Sequence, residues 1–189
     1  MRTKIIAIIS FLFISAHANA MMFVEPSFAY TVSGTNEVKT VLGGTNTVDL
    51  AGYSGVLKLG WTNAGFAIGA VGKRELTEET ASGSTLESWY TRYGAFIGYS
   101  LPIMLEFGVT YLLPIIQHSD SSYSGYTWST LAFGVSYSII PFVKLQVTYG
   151  MSMSPQVVTN GTASDLASGT EVNVNNISVG LGVPIPLGF

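Results

Sequence analysis

Over residues 177–189 the chain alternates without a break. Ile177, Val179, Leu181, Val183, Ile185, Leu187 and Phe189 are apolar. Between them stand Ser178, Gly180, Gly182, Pro184, Pro186 and Gly188, all small, polar or proline. A period of two belongs to a strand whose faces meet different surroundings. A helix would scatter the same apolar residues around its whole circumference. Whatever this chain folds into therefore ends in a two-faced strand.

The start of the chain reads differently. Arg2 and Lys4 precede an apolar run over 5–14, and Ala18-Asn19-Ala20 has the small-residue pattern of a cleavage site. This predicts a secretory signal peptide over 1–20, cleaved after Ala20. The alternative is a retained anchor, but the run is shorter than the ~20 residues a helix needs to cross a bilayer. Residues 21–189 then form one domain.

Charged residues make up 10% of the chain and hydrophobic ones 48%. A soluble domain carries about 25% charged residues, so part of this surface faces something other than water. No apolar run after residue 20 approaches a membrane-spanning helix. The apolar residues lie on alternate positions instead, which suits a closed barrel with one face of each strand in lipid. Cysteine is absent, so neither disulfides nor thiolate metal sites are available. The formal charge of −3 becomes more negative once Arg2 and Lys4 are removed, which argues against nucleic acid as a partner.

The spacing predicts strands over 23–32, 50–61, 66–73, 88–99, 103–113, 126–137 and 143–151, with an eighth after residue 170. Short turns at 62–65, 100–102 and 138–142 alternate with longer polar segments at 33–49, 74–87, 114–125 and 152–170. The longer segments read as hydrated loops, and 75–79 has the composition of a helical turn. Aromatic residues gather near the ends of the outward faces: Trp61, Phe66, Tyr99, Tyr137 and Phe189 by the short turns, and Trp89, Tyr93 and Tyr111 toward the loops. The expected fold is all-β, an eight-stranded antiparallel up-and-down transmembrane β-barrel with short periplasmic turns and long external loops. A soluble ligand-binding barrel would need the reverse polarity, apolar within and polar without.

The ending on Phe189, preceded by Leu187, Ile185, Val183 and Leu181 at alternate positions, resembles the C-terminal assembly signal of Gram-negative outer-membrane proteins. The whole of 21–189 resembles the small eight-stranded class that includes OmpX, OmpW and the membrane domain of OmpA. The resemblance implies an outer-membrane location. It also implies contact with outer-membrane lipid and lipopolysaccharide, recognition by the barrel-assembly machinery, and a monomer. Pro184 and Pro186 depart from the pattern, and with Pro26 on the first strand they predict a shortened seam between the first and last strands.

Glu25, Lys58, Lys73, Arg92, Glu106 and Lys144 fall on inward positions. An eight-stranded barrel is just wide enough for side chains to fill it, and charges there must be paired or hydrated. Two readings stay open: a plug of ion pairs, or a narrow conduit biased toward positive charge by its four cations against two carboxylates. Inward glycines leave room for water, whereas Tyr90, Phe96 and Met104 supply inward bulk. On this assignment Lys144→Gln is milder than Leu145→Arg or Val135→Arg.

Some barrels of this size are lipid-modifying enzymes with a His-x-Ser pair. Here His118 is followed directly by Ser119 and Asp120 in a loop with nothing to organise them. No catalytic residue, cofactor or metal site is therefore expected. The acidic run Glu75, Glu78, Glu79 and Glu87 lacks the ordered spacing of a calcium loop. The sequon at Asn160 is a short motif of high chance frequency. The expected role is structural, with surface interactions through the external loops. A narrow channel for small solutes or hydrophobic molecules is the alternative.

Overall fold

A computed structural model describes residues 21–81, 84–114, 125–140, 142–159 and 162–187. The expected signal peptide, His118 and its neighbours, and Phe189 lie outside the described residues. The described chain forms ten strands: β1 Met21–Lys39, β2 Thr45–Asn63, β3 Phe66–Ala81, β4 Ser84–Ser100, β5 Leu105–Leu112, β6 Gly125–Ile140, β7 Val143–Thr159, β8 Thr162–Asp165, β9 Glu171–Gly182 and β10 Ile185–Leu187.

Each strand from β1 to β7 pairs antiparallel with the next, and β9 closes the ring by pairing with both β7 and β1. β10 continues β9, so the ring has eight strands. β8 is a short arm against the far end of β7. The strands are inclined, because the register does not close on itself. Starting from Phe23, it passes through Gly60, Gly69, Phe96, Thr110, Ala132, Gly150 and Asn176 and returns to β1 at Gly34. That stagger is what a closed barrel requires.

The outward faces carry a continuous exposed belt that includes Leu57, Leu59, Ile68, Ile97, Phe133, Val135, Leu145, Val147 and Leu181. Aromatics flank it at both ends. Near the turns, Phe66 and Tyr99 have ring centroids 4.6 Å apart, with Trp61 and Tyr137 also exposed. Toward the other end Tyr53 packs on Tyr30 at 4.9 Å and on Phe28 at 5.8 Å, with Trp89, Tyr93 and Tyr111 outward. An apolar band between two aromatic girdles is the profile of a transmembrane barrel.

Three expectations need correction. The segments read as loops at 33–49, 74–87 and 152–170 are largely strand. β1 and β2 pair as far as Lys39 and Thr45, β3 and β4 as far as Ala81 and Ser84, and β7 reaches Thr159. No helical turn forms at 75–79. Thr and Val favour extended backbone, and a strand whose outer face has left the lipid loses its apolar alternation without losing its ladder. The remaining turn, Thr40–Gly44, closes with Gly43 N–H on Thr40 O at 2.9 Å and Gly43 at φ 80°.

Met104, expected inward on a strand starting at residue 103, lies in a turn at φ 64° and is 57% exposed. The turn is closed by Leu101 N–H on Leu105 O at 2.7 Å.

The seam is not shortened on the β1 side. β10 keeps the register of β9 as far as Met22 opposite Leu187, and Val183 N–H donates to Pro26 O at 2.9 Å. Alternation then aims the donor positions of Pro184 and Pro186 away from β1. The missing bonds fall on the β7 side, where pairing stops at Lys144 opposite Gly182.

Candidate functional site in the barrel interior

The structure places all six sequence-derived charges inside the ring and sorts them into two knots. Adjacent strands bring Glu25 and Lys58 directly opposite, and Lys73 opposite Arg92. Glu25, 1% exposed, is the hub of the knot nearer the turns. Its Oε1 accepts Lys58 Nζ at 2.8 Å and Gln146 Nε2 at 3.0 Å, and its Oε2 accepts Lys144 Nζ at 3.0 Å. Lys144 also reaches Glu106 Oε2 at 2.6 Å, and Glu106 accepts Ser100 Oγ at 3.1 Å. Five strands, β1, β2, β4, β5 and β7, are thereby tied through the lumen.

The second knot centres on Glu75, which sequence reading assigned to a loop. Glu75 pairs with Lys73 and lies 3.1 Å from Arg92 Nε. Arg92 donates to Thr130 Oγ1, and its guanidinium sits 5.3 Å from the Trp128 ring centroid. The signal for Glu75 was present: it stands two residues beyond Lys73, on the same face of a strand that simply continues. Glu79, four residues beyond Glu75, also faces the lumen. With these two carboxylates included, the lumen holds Glu25, Glu75, Glu79 and Glu106 against Lys58, Lys73, Lys144 and Arg92. The expected cationic bias is gone.

Apolar side chains narrow the lumen beside each knot. Phe23 meets Phe96 edge to face at 5.9 Å, packed with Ala67, Val71 and Leu112. At the other end Leu50, Trp128, Val172 and Val174 cluster, with Val38, Tyr126 and Leu166 against them. A cavity of about 140 Å³ remains between, lined among others by Ser54, Tyr90, Thr130, Thr148 and Ser178. Its lining mixes hydroxyls and charges with apolar side chains, and it is large enough for several waters. Gly108 and Gly134 line it with no side chain crowding the place where a Cβ would stand, but two other inward glycines do not widen it. A Cβ on Gly60 would lie 2.9 Å from the Phe96 ring, and one on Gly150 would lie 2.6 Å from Asn176 Oδ1. Neighbouring side chains already occupy that space.

Of the C-terminal assembly residues, Leu181, Val183 and Ile185 are exposed on the belt and Leu187 is half-buried on β10. Among the described residues no cluster of metal-ligating side chains occurs.

No protein-family model matches the chain, and no curated protein matches it. Similar solved structures exist. Neisserial surface protein A is 18% identical at a TM-score of 0.49, over 87% of this chain and 98% of its own. Ail, the attachment invasion locus protein of Yersinia pestis, is 15% identical at 0.48, over 86% and 98%. An outer membrane channel from Pseudomonas putida F1 is 9% identical at 0.40, over 89% and 96%. The fold itself rests on the closed ring, its lipid-facing belt and its filled lumen. The chain is a closed, eight-stranded antiparallel transmembrane β-barrel.

Proposed function

We propose that this is an outer-membrane barrel without a conducting lumen. Its role is to hold rigid hairpins above the membrane for contact with surfaces outside the cell. The crowding of the interior by side chains from most strands is the observation that supports this reading. The Glu25 knot and the Phe23–Phe96 pair fill the lumen toward the periplasm, and the Trp128 cluster fills it toward the exterior. The ladders of β1–β2 and β3–β4 run on past the aromatic girdle, so their tips are held by backbone pairing. At the first tip Leu42 is 98% exposed beside exposed Val41, an apolar pair offered to a partner. A cleaved signal peptide, delivery by the barrel-assembly machinery and a monomeric state belong to the same reading, and no enzymatic step does.

Conductance of residues 21–189 refolded into a planar bilayer tests it. Folding is checked by slower migration after boiling than before. A silent bilayer with folded protein is expected. Reproducible steps that change when Lys58 or Arg92 is neutralised would overturn this reading in favour of a narrow channel.

A further inference from the structure

The outward face of β2 and β3 is interrupted at the level of the outer girdle. Gly55 and Gly72 are diagonal neighbours there, Gly55 opposite Arg74 and Leu57 opposite Gly72. A Cβ on Gly55 would meet nothing within 4 Å, and one on Gly72 would meet only the Tyr93 ring, at 3.6 Å. The result is a shallow hollow in the lipid-facing wall, bordered by Pro26, Leu57, Thr91 and Tyr93. Glycine inside a strand leaves nothing to pack and marks a place where something else approaches the backbone. Here the Tyr93 ring approaches Gly72, and nothing in the protein approaches Gly55.

Arg74 stands at the rim of this hollow. It is exposed on the outward face, and its guanidinium carbon lies 5.1 Å from the Trp89 ring centroid. Among the described residues it forms no ion pair. A cation on the lipid side of a barrel is costly unless its head reaches the interface or meets an anion. Stacking on Trp89 holds the guanidinium plane in place, and its fork of donors matches phosphate oxygens. Thr91, directly opposite Arg74 on β4, adds a hydroxyl at the same rim.

We propose that the hollow is a seat for a phosphate-bearing lipid of the outer leaflet, with an acyl chain across Gly55 and Gly72 and the phosphate on Arg74. The site rests on the outer-membrane reading above. It adds a defined stoichiometry, one lipid per barrel, where a bare cation at the interface would only sample passing headgroups.

The test uses residues 21–189 refolded into phosphatidylcholine nanodiscs doped with monophosphoryl lipid A or with its dephosphorylated form, then released for native mass spectrometry. The wild-type chain should retain one phosphorylated lipid and not the dephosphorylated one. Arg74→Gln should cut retention about tenfold or more, the equivalent of one lost charge-assisted bond. Arg74→Lys should recover part of it. Gly55→Leu should abolish retention while leaving the barrel folded, since a Cβ there meets nothing within 4 Å. Equal retention by all variants, equal retention of both lipids, or none by the inserted wild-type chain would overturn the site alone. Failure of the wild-type chain to insert at all would overturn the membrane reading and the site with it.

Discussion

Glu25 and Lys144 meet at 3.0 Å across the lumen although 119 residues separate them in the chain. Because Lys58, Gln146 and Glu106 converge on the same two side chains, this contact fixes how the first and last thirds of the barrel sit against each other. Removing one partner of a buried ion pair leaves the other uncompensated, at a cost of about 3–5 kcal/mol. Glu25→Ala should therefore lower the unfolding free energy, read by urea titration in vesicles, by that order. Lys144→Gln should do nearly the same, because Lys144 serves two carboxylates. The mild effect expected of Lys144→Gln from sequence does not survive the geometry.

Leu145 and Val135 face the belt on β7 and β6. Leu145→Arg or Val135→Arg should cost about 2–4 kcal/mol near the bilayer midplane. The same unfolding assay reads it. A cost of no more than a few tenths of a kcal/mol would mean that these faces do not meet lipid.

Asn176 fills the space that the missing side chain of Gly150 leaves, its Oδ1 2.6 Å from where a Cβ would stand. Gly150→Ala should overpack the lumen by about 1–3 kcal/mol. The loss should shrink when Asn176→Ala is present as well, because the two positions share one volume. Additive losses would show that the two side chains do not compete.

Glu79 lies on the inward face of β3, beyond the girdle, and burial raises its pKa above the ordinary glutamate value. The folded state then holds this proton more tightly than the unfolded chain does. Its contribution to stability is fully present below the unfolded pKa and is lost as pH rises through the folded one. Glu79→Gln should be more stable than wild type at pH 7, with the difference fading toward pH 4. A constant difference across unfolding titrations over that range would remove the burial argument.

Much of the fold was legible in the residues because lipid and lumen impose opposite chemistry on alternate positions. Phe133, Val135 and Tyr137 against Ala132, Gly134 and Ser136 admit one assignment of faces. The pattern failed where that contrast ends. Above the girdle the outer face of the strands no longer meets lipid, so Thr, Asn and Glu on a strand look like a loop. Glu75 went astray for the same reason, one step past the last residue whose neighbours still alternate. Which charges touch was not readable either, since Lys144 reaches Glu106 only through the stagger of strands that are not neighbours. The hollow at Gly55 and Gly72 was hidden as well: each glycine is unremarkable on its own strand, and only the register sets them side by side.

The prolines of β10 bear on how the barrel ends. Past Gly182 the last strand has β1 on one side and no partner among the described residues on the other. An exposed ladder of this kind ordinarily invites another chain to add a strand. With Pro184 and Pro186 at the outward-pointing donor positions, that edge offers carbonyls but no N–H groups from these two residues. A second copy finds little to pair with there, and the sheet stops growing once β1 has been met.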